Sequence, residues 1–156
     1  MGITTDLRKI DVTTVWKKNV QTEQFVRGFQ FLIDEPTKIG GDNEAPTPLE
    51  YVLGAFNGCI FVVIDLVARE INFHFENIDI KSLAVVDRRG LLGTADVSPY
   101  YQSVINEIVF ETDETPEKLE ELKEIVLKRC PLYNLLKNAG VEIELVWDIA
   151  PLPHHK

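Results

Sequence analysis

The sequence has few of the residues that most often carry chemistry, with two cysteines and three histidines among 156 residues. It contains no glycine-rich phosphate loop and no GxSxG, HExxH or CxxC motif. The histidines, His74, His154 and His155, have no ligand spacing with the cysteines. The sequence therefore predicts neither a bound metal nor a cofactor.

Positive charge is also scarce. The chain has 16 Lys and Arg residues against 25 Asp and Glu residues, which gives a net charge of −9. Nucleic acids and anionic membrane surfaces need basic patches on their partners. The pairs Lys17-Lys18 and Arg88-Arg89 are too short to form one. We therefore expect neither nucleic acid nor membrane as a partner.

The sequence lacks a long uninterrupted apolar run. The most apolar stretch, 51–64, is interrupted by Gly54, Asn57 and Gly58 and ended by Asp65, whereas a membrane span needs about 18 apolar residues. A buried helix is the better interpretation. The first residues do not resemble a secretory signal, and two cysteines without export are typical of a reducing cytoplasm. A cytoplasmic location is expected.

The patterns that are present predict one α+β domain over residues 1–156, in which helices pack on an antiparallel sheet. Alternating and β-branched segments predict strands, and 3.6-residue periodicity with caps predicts helices. The predicted strands are 11–19, 22–33, 77–88, 101–111 and 141–148; the predicted helices are 48–71, one that begins after Thr115, and a short one from Pro131 to about Asn138.

The long helix has a distinct start and an unusual surface. Thr47 can be its N-cap, Pro48 suits the first position, and Glu50 follows Thr47 at capping-box spacing. Residues 51–64 are apolar on every face, so we expect the helix to be central and covered on several sides. Gly54 and Gly58 leave a bare patch where another backbone can approach.

Cys59 and Cys130 are the candidate functional residues, although a free cysteine is often only a small buried hydrophobe. If folding brings the sulfurs together, one thiolate can be oxidised to a sulfenic acid and the other can condense with it to a disulfide. Glu50 precedes Cys59 by nine residues, which places the two on opposite sides of a regular helix. Its role in the capping box is therefore enough to account for a glutamate at this position. Arg27, on a predicted strand, could activate a thiolate or simply face solvent.

Two segments around these cysteines resemble the OsmC/Ohr family of organic hydroperoxide reductases. They are the run Ile33-Asp34-Glu35-Pro36, Gly40-Gly41 and Pro46-Thr47-Pro48-Leu49-Glu50-Tyr51-Val52-Leu53-Gly54-Ala55-Phe56-Asn57-Gly58-Cys59, and the run Arg129-Cys130-Pro131-Leu132-Tyr133-Asn134-Leu135-Leu136.

The resemblance implies an OsmC-like fold with a long central helix, assembled as an intertwined homodimer with active sites at the subunit interface. It implies a thiol-dependent peroxidase of oxidative stress defence, with an organic hydroperoxide as substrate and a dithiol as reductant. In that reading Cys59 is the peroxidatic cysteine and Cys130 the resolving cysteine.

The sequence departs from the family's well-studied members at the groups that activate the thiol. Those members carry glutamate directly after the helix-start proline, where this chain has Leu49 and places Glu50 one residue later. They also carry an upstream arginine, whereas the only basic residue of loop 34–47 is Lys38. Arg27 and Glu50 are thus the candidate activating residues, and the chain looks closer to the less characterised OsmC-like branch.

Two other functions fit the same residues. A non-enzymatic OsmC-like module could bind an apolar ligand or sense redox state, and the pH dependence of Cys59 alkylation would distinguish it from a peroxidase. A structural dimer with two buried thiols would instead hold the cysteine Cα atoms more than about 7 Å apart.

Overall fold

The computed structural model describes residues 6–153 of the chain. Two compact units are present, with the division between Val52 and Leu53. The division falls inside the long helix, whose first turn belongs to the first unit. The assignment of residues 1–156 to one domain stays a prediction.

The first unit contains a three-stranded antiparallel sheet, where the sequence predicted two strands. Its strands, in spatial as well as chain order, are β1 (Thr13–Lys18), β2 (Gln21–Val26) and β3 (Phe29–Ile33). Arg27 and Gly28 separate β2 from β3 with φ angles of 49° and 84°, the left-handed values that tight hairpin turns require. The prediction that Arg27 lies on a strand is therefore wrong.

The loop after β3 leads into the long helix α1 (Pro48–Ile71), whose predicted bounds and cap are confirmed. The Glu50 backbone N–H donates to Thr47 Oγ1 at 3.2 Å, and the Thr47 N–H donates to a Glu50 carboxylate oxygen at 2.8 Å. These reciprocal bonds form the capping box. They place the start of α1 at the residue that the sequence indicates.

The second unit is built on a mixed sheet of order β4-β5-β6, comprising β4 (Asn77–Val86), β5 (Tyr101–Glu111) and β6 (Glu142–Ala150). β4 and β5 are antiparallel, but β5 and β6 are parallel, so the predicted wholly antiparallel sheet is wrong at β6. Parallel neighbours need a long crossover. It is supplied by α3 (Pro116–Arg129) and α4 (Pro131–Asn138), while the short α2 (Arg88–Leu92) lies between β4 and β5.

Only one face of α1 is covered within the chain, although the sequence predicted burial on several sides. Its buried residues join those of β5 and α3 in one apolar core; on α1 they are Phe56, Ile60, Val63, Ile64, Val67 and Ala68. By length and composition α1 is apolar enough to cross a membrane, although its apolar stretch was judged too short and too interrupted from the sequence. Core helices of globular proteins also meet this criterion.

Candidate redox site

Folding brings Cys59 and Cys130 together, although 71 residues separate them in sequence. Cys59 lies in the middle of α1, and Cys130 lies at the junction between α3 and α4. Their sulfur atoms are 3.9 Å apart, with the Cys130 S–H donating to the Cys59 sulfur. Both thiols are free, since a disulfide has an S–S bond of about 2.05 Å.

The two thiols have different environments. Cys130 is completely buried, whereas Cys59 is partly exposed. Burial raises the pKa of the Cys130 thiol to about 11, against the opposing effect of the Tyr133 and Leu132 N–H groups and with a further increase from the neighbouring Cys59. Cys130 therefore keeps its proton at neutral pH, and Cys59 is the thiol that a second molecule can reach.

Cys59 lies at the edge of an exposed stripe on α1. Successive residues of a helix are rotated by about 100°, which places Gly54, Gly58, Phe61, Val62 and Leu66 on the side opposite the core. Phe61, Val62 and Leu66 are 39%, 56% and 44% exposed. A Cβ atom added at Gly54 or Gly58 would meet no described atom within 4 Å. The bare glycine patch that the sequence indicates is thus open, one residue from Cys59.

A chain of hydrogen bonds joins the other edge of the buried face of α1 to all three strands of the mixed sheet. Trp147 Nε1 donates to Asn106 Oδ1 at 3.1 Å, and Asn106 Nδ2 donates to Ser82 Oγ at 3.0 Å. Ser82 Oγ donates in turn to Asn57 Oδ1 at 2.6 Å. These residues were not predictable from the sequence, because no local pattern connects polar side chains on three strands and a helix.

Arg129, the neighbour of Cys130, connects the end of α3 to α1. Its guanidinium donates to both carboxylate oxygens of Glu70, at 2.6 Å and 3.1 Å. Glu70 follows Cys59 by eleven residues, which on a regular helix returns to nearly the same side about three turns later. Both residues are substantially exposed, so the pair aligns α3 with α1 more than it stabilises the fold.

The predicted activating residues belong to the first unit, whereas both cysteines belong to the second. Glu50 is occupied in the capping box. The Arg27 guanidinium lies 5.3 Å from the centre of the Phe29 ring, and Lys38 lies in a short 3₁₀ segment, Thr37–Ile39. The roles of Arg27 and Glu50 in thiolate activation stay predictions.

Histidine contributes no ligand cluster in the part of the chain that the structure describes. Residues 6–153 hold no group of three or more His, Cys, Asp or Glu side chains arranged to bind a metal ion. His74 is exposed and donates its backbone N–H to Glu114 at 2.9 Å. His154 and His155 lie outside the described residues.

A long helix packed beside a mixed sheet, with one cysteine on that helix and its partner between α3 and α4, is the α+β arrangement to be compared with known folds. Residues 41–146 match the family described as OsmC-like protein. The chain belongs to this family, as its two cysteine motifs predicted. No curated protein sequence matches the chain.

Solved structures show the same fold at low sequence identity. An OsmC-like protein from Mycoplasma pneumoniae superposes with a TM-score of 0.77 at 16% identity, covering 94% of this chain and 99% of its own. An organic hydroperoxide resistance protein OsmC from Legionella pneumophila gives 0.68 at 15% identity, covering 94% and 99%. The organic hydroperoxide resistance protein OhrB of Bacillus subtilis gives 0.61 at 16% identity, covering 90% and 98%.

Proposed function

We propose that the protein is a thiol peroxidase that reduces organic hydroperoxides with Cys59 and Cys130 in defence against oxidative stress. The observation that carries this proposal is the pair of free thiols 3.9 Å apart, one accessible and one buried. Membership of the OsmC-like family supports it. So does the similarity in fold to two proteins named for organic hydroperoxide resistance.

The first chemical step belongs to Cys59 because it is the accessible thiol. Its thiolate attacks the terminal oxygen of R–O–OH, the O–O bond breaks, and the products are Cys59–S–OH and an alkoxide that takes up a proton to become the alcohol ROH. Sulfur is oxidised and the peroxide is reduced by two electrons.

Cys130 then resolves the sulfenic acid. Its sulfur forms a bond to the Cys59 sulfur, and the sulfenic hydroxyl leaves as water with the proton of the Cys130 thiol. The sulfur atoms must approach by about 1.9 Å from the 3.9 Å of the reduced pair. A dithiol reductant regenerates both thiols by exchange and is itself converted to a disulfide.

We also propose that the active protein is a homodimer. The exposed stripe of α1 is apolar and carries two glycines with open space beside them, which suits close packing against a second copy of the helix. Because Cys59 lies at the edge of this stripe, such packing would enclose the accessible thiol. Two free thiols also suit the reducing cytoplasm proposed as the protein's location.

The decisive experiment follows consumption of cumene hydroperoxide in the presence of a dithiol reductant. Cys59→Ser is expected to abolish turnover, because it removes the nucleophile. Without the dithiol, Cys130→Ser is expected to consume one equivalent of peroxide and to accumulate a sulfenic acid that a dimedone probe traps at Cys59, whereas the native protein should form the disulfide and leave nothing for dimedone to trap. An unchanged rate in Cys59→Ser would overturn the proposal.

Two variants extend the experiment to the thiolate-activating residues. Arg27→Ala and Glu50→Gln should slow the first step only if these side chains support the Cys59 thiolate. Glutamine also closes a capping box, so Glu50→Gln should keep its thermal stability, and a slower reaction in that variant would report on the lost carboxylate.

A further inference from the structure

At the junction between α3 and α4, which holds Cys130, the carbonyl of Leu127 has no backbone N–H to accept from in the usual helical pattern. In a continuous helix the carbonyl of Leu127 would accept the N–H of residue 131. That residue is Pro131, which has no N–H. The helical pattern therefore breaks at Cys130, which ends α3 and precedes α4 with an extended backbone, φ −71° and ψ 113°.

The side chain of Asn134 supplies the missing donor. Its Nδ2 atom lies 2.8 Å from the carbonyl oxygen of Leu127 and 2.8 Å from that of Cys130. An amide NH₂ group has two donor hydrogens, so both are used on the two sides of the junction. One side chain thus links the last turn of α3 to the residue that carries the buried thiol.

Backbone hydrogen bonds also tie Cys130 to both helices, to α3 through its N–H and to α4 through its carbonyl. Its N–H donates to the Val126 carbonyl at 2.8 Å, and its own carbonyl accepts the Asn134 N–H at 3.1 Å. The Leu127 bond is the one that regular helix geometry does not provide. Without Asn134 the angle between α3 and α4 would lose a constraint at the position of the sulfur.

We propose that Asn134 is a positioning residue for the Cys59–Cys130 pair. It replaces the hydrogen bond lost at Pro131, and by doing so it holds the Cys130 sulfur at the distance from which a disulfide can close. The inference rests on the proposed function only in taking Cys130 as the resolving thiol. Bringing two sulfurs from 3.9 Å to bonding distance depends steeply on alignment, and a misplacement of about 1 Å can cost about 100-fold in such a reaction.

The experiment measures the thiol–disulfide equilibrium of the protein without any hydroperoxide. The two thiols react with oxidised glutathione to give the intramolecular disulfide and two molecules of reduced glutathione, and the equilibrium constant is the effective concentration of the pair. Asn134→Leu, of similar size but without donors, is expected to lower it at least about tenfold. Asn138→Leu makes the same chemical change at an exposed position of α4 and should leave it unchanged.

Two further variants test the proposed cause. Asn134→Thr keeps a hydroxyl that can donate to the carbonyl four residues earlier, that of Cys130, but it supplies no donor for the Leu127 carbonyl, so its loss should remain close to that of Asn134→Leu. Pro131→Ala restores an N–H for the Leu127 carbonyl. In that background Asn134→Leu should have a clearly smaller effect than in the native sequence.

The possible outcomes separate this inference from the proposed function. Equal effective concentrations for the native protein, Asn134→Leu and Asn138→Leu would overturn the positioning role. An equal loss from Asn134→Leu in both proline backgrounds would overturn its assignment to the Leu127 carbonyl. Absence of hydroperoxide turnover in the native protein, with the equilibrium shifts as expected, would refute the peroxidase and leave the positioning role supported.

Discussion

Asp34 is a buried carboxylate around which the loop before α1 is organised. It is completely buried and accepts hydrogen bonds from the backbone N–H groups of Glu35, Asp42 and Glu44, at 2.8, 3.4 and 3.1 Å, and from the Gln21 side chain at 3.2 Å. Burial alone would raise the pKa of this carboxyl, but the donors outweigh burial and hold the pKa below its usual value. The negative charge is satisfied by N–H donors instead of a cation.

The depressed pKa makes Asp34 a pH-dependent source of stability. A carboxyl whose pKa is lower in the folded state stabilises the fold above its unfolded pKa of about 3.9, and this contribution is lost as the pH falls through the folded value. Asp34→Asn is therefore expected to lower the urea midpoint at about pH 7, and the difference from the native protein should narrow at about pH 3. Asp79→Asn, at an exposed position of β4, is the control and should change little. A difference for Asp34→Asn that stays constant with pH would contradict the role of its charge.

Local sequence signals explain some of these residues and not others. The capping box of Thr47 and Glu50 was predictable because both partners lie three residues apart and act on the same turn. Asp34 was not, because the donors that surround it come from separate points of one loop and from Gln21 on a strand. Asn134 left a partial signal, since a proline inside a helical segment always leaves a carbonyl in need of another donor.

At the scale of elements, α1 is fixed against the mixed sheet by polar as well as apolar contacts. The chain from Trp147 through Asn106 and Ser82 to Asn57 runs across β6, β5 and β4 in one donor direction. Asn57 is about 200° around α1 from Cys59, so the two side chains lie on opposite edges of the buried face. Restraining the Asn57 edge therefore also sets the rotation that presents Cys59 to Cys130.

Ser82→Ala tests this hydrogen-bond chain. The change removes the bridging hydroxyl and leaves the Asn106 donor, on a fully buried residue, without its partner at 3.0 Å. A buried polar group left unsatisfied costs about 1–3 kcal/mol, so the free energy of unfolding in urea should fall by that amount. Ser103→Ala, a half-buried serine on β5, is the matched control. Equal losses in the two variants would show that the Ser82 bonds contribute nothing specific.

Most helices and strands were predictable from the sequence, but the direction in which the strands pair and the points where they turn were less predictable. The alternation in 141–148 correctly indicated a strand, yet its direction beside β5 depends on the crossover through α3 and α4, which no strand pattern encodes. The segment 22–33 looked like one strand because its apolar residues continue across Arg27-Gly28, where the backbone turns with positive φ. The proximity of Cys59 and Cys130 followed from the family resemblance and not from their spacing, because 71 residues of separation impose no contact.

At the scale of the whole molecule, an intrachain thiol pair lies beside an apolar stripe that nothing in the described chain covers. The cysteines meet within one chain, so disulfide formation itself does not require a partner. The exposed stripe is what the proposed dimer would cover, because Phe61, Val62 and Leu66 otherwise hold apolar surface in water. Dimerisation and thiol pairing should therefore be separable by mutation.

Val62→Asp is expected to convert the proposed dimer to a monomer, because it places a charge at the centre of the stripe, on a residue that is 56% exposed within the chain. Sedimentation equilibrium should give a mass of twice the 17.7 kDa chain for the native protein and the mass of one chain for the variant. Leu91→Asp introduces the same charge on α2, at a position 64% exposed, and should remain dimeric. The monomeric variant should still form the Cys59–Cys130 disulfide with oxidised glutathione, but should consume hydroperoxide more slowly because Cys59 loses its enclosure. A native protein that sediments as one chain, or a Val62→Asp variant that stays dimeric, would show that this stripe is not the subunit interface.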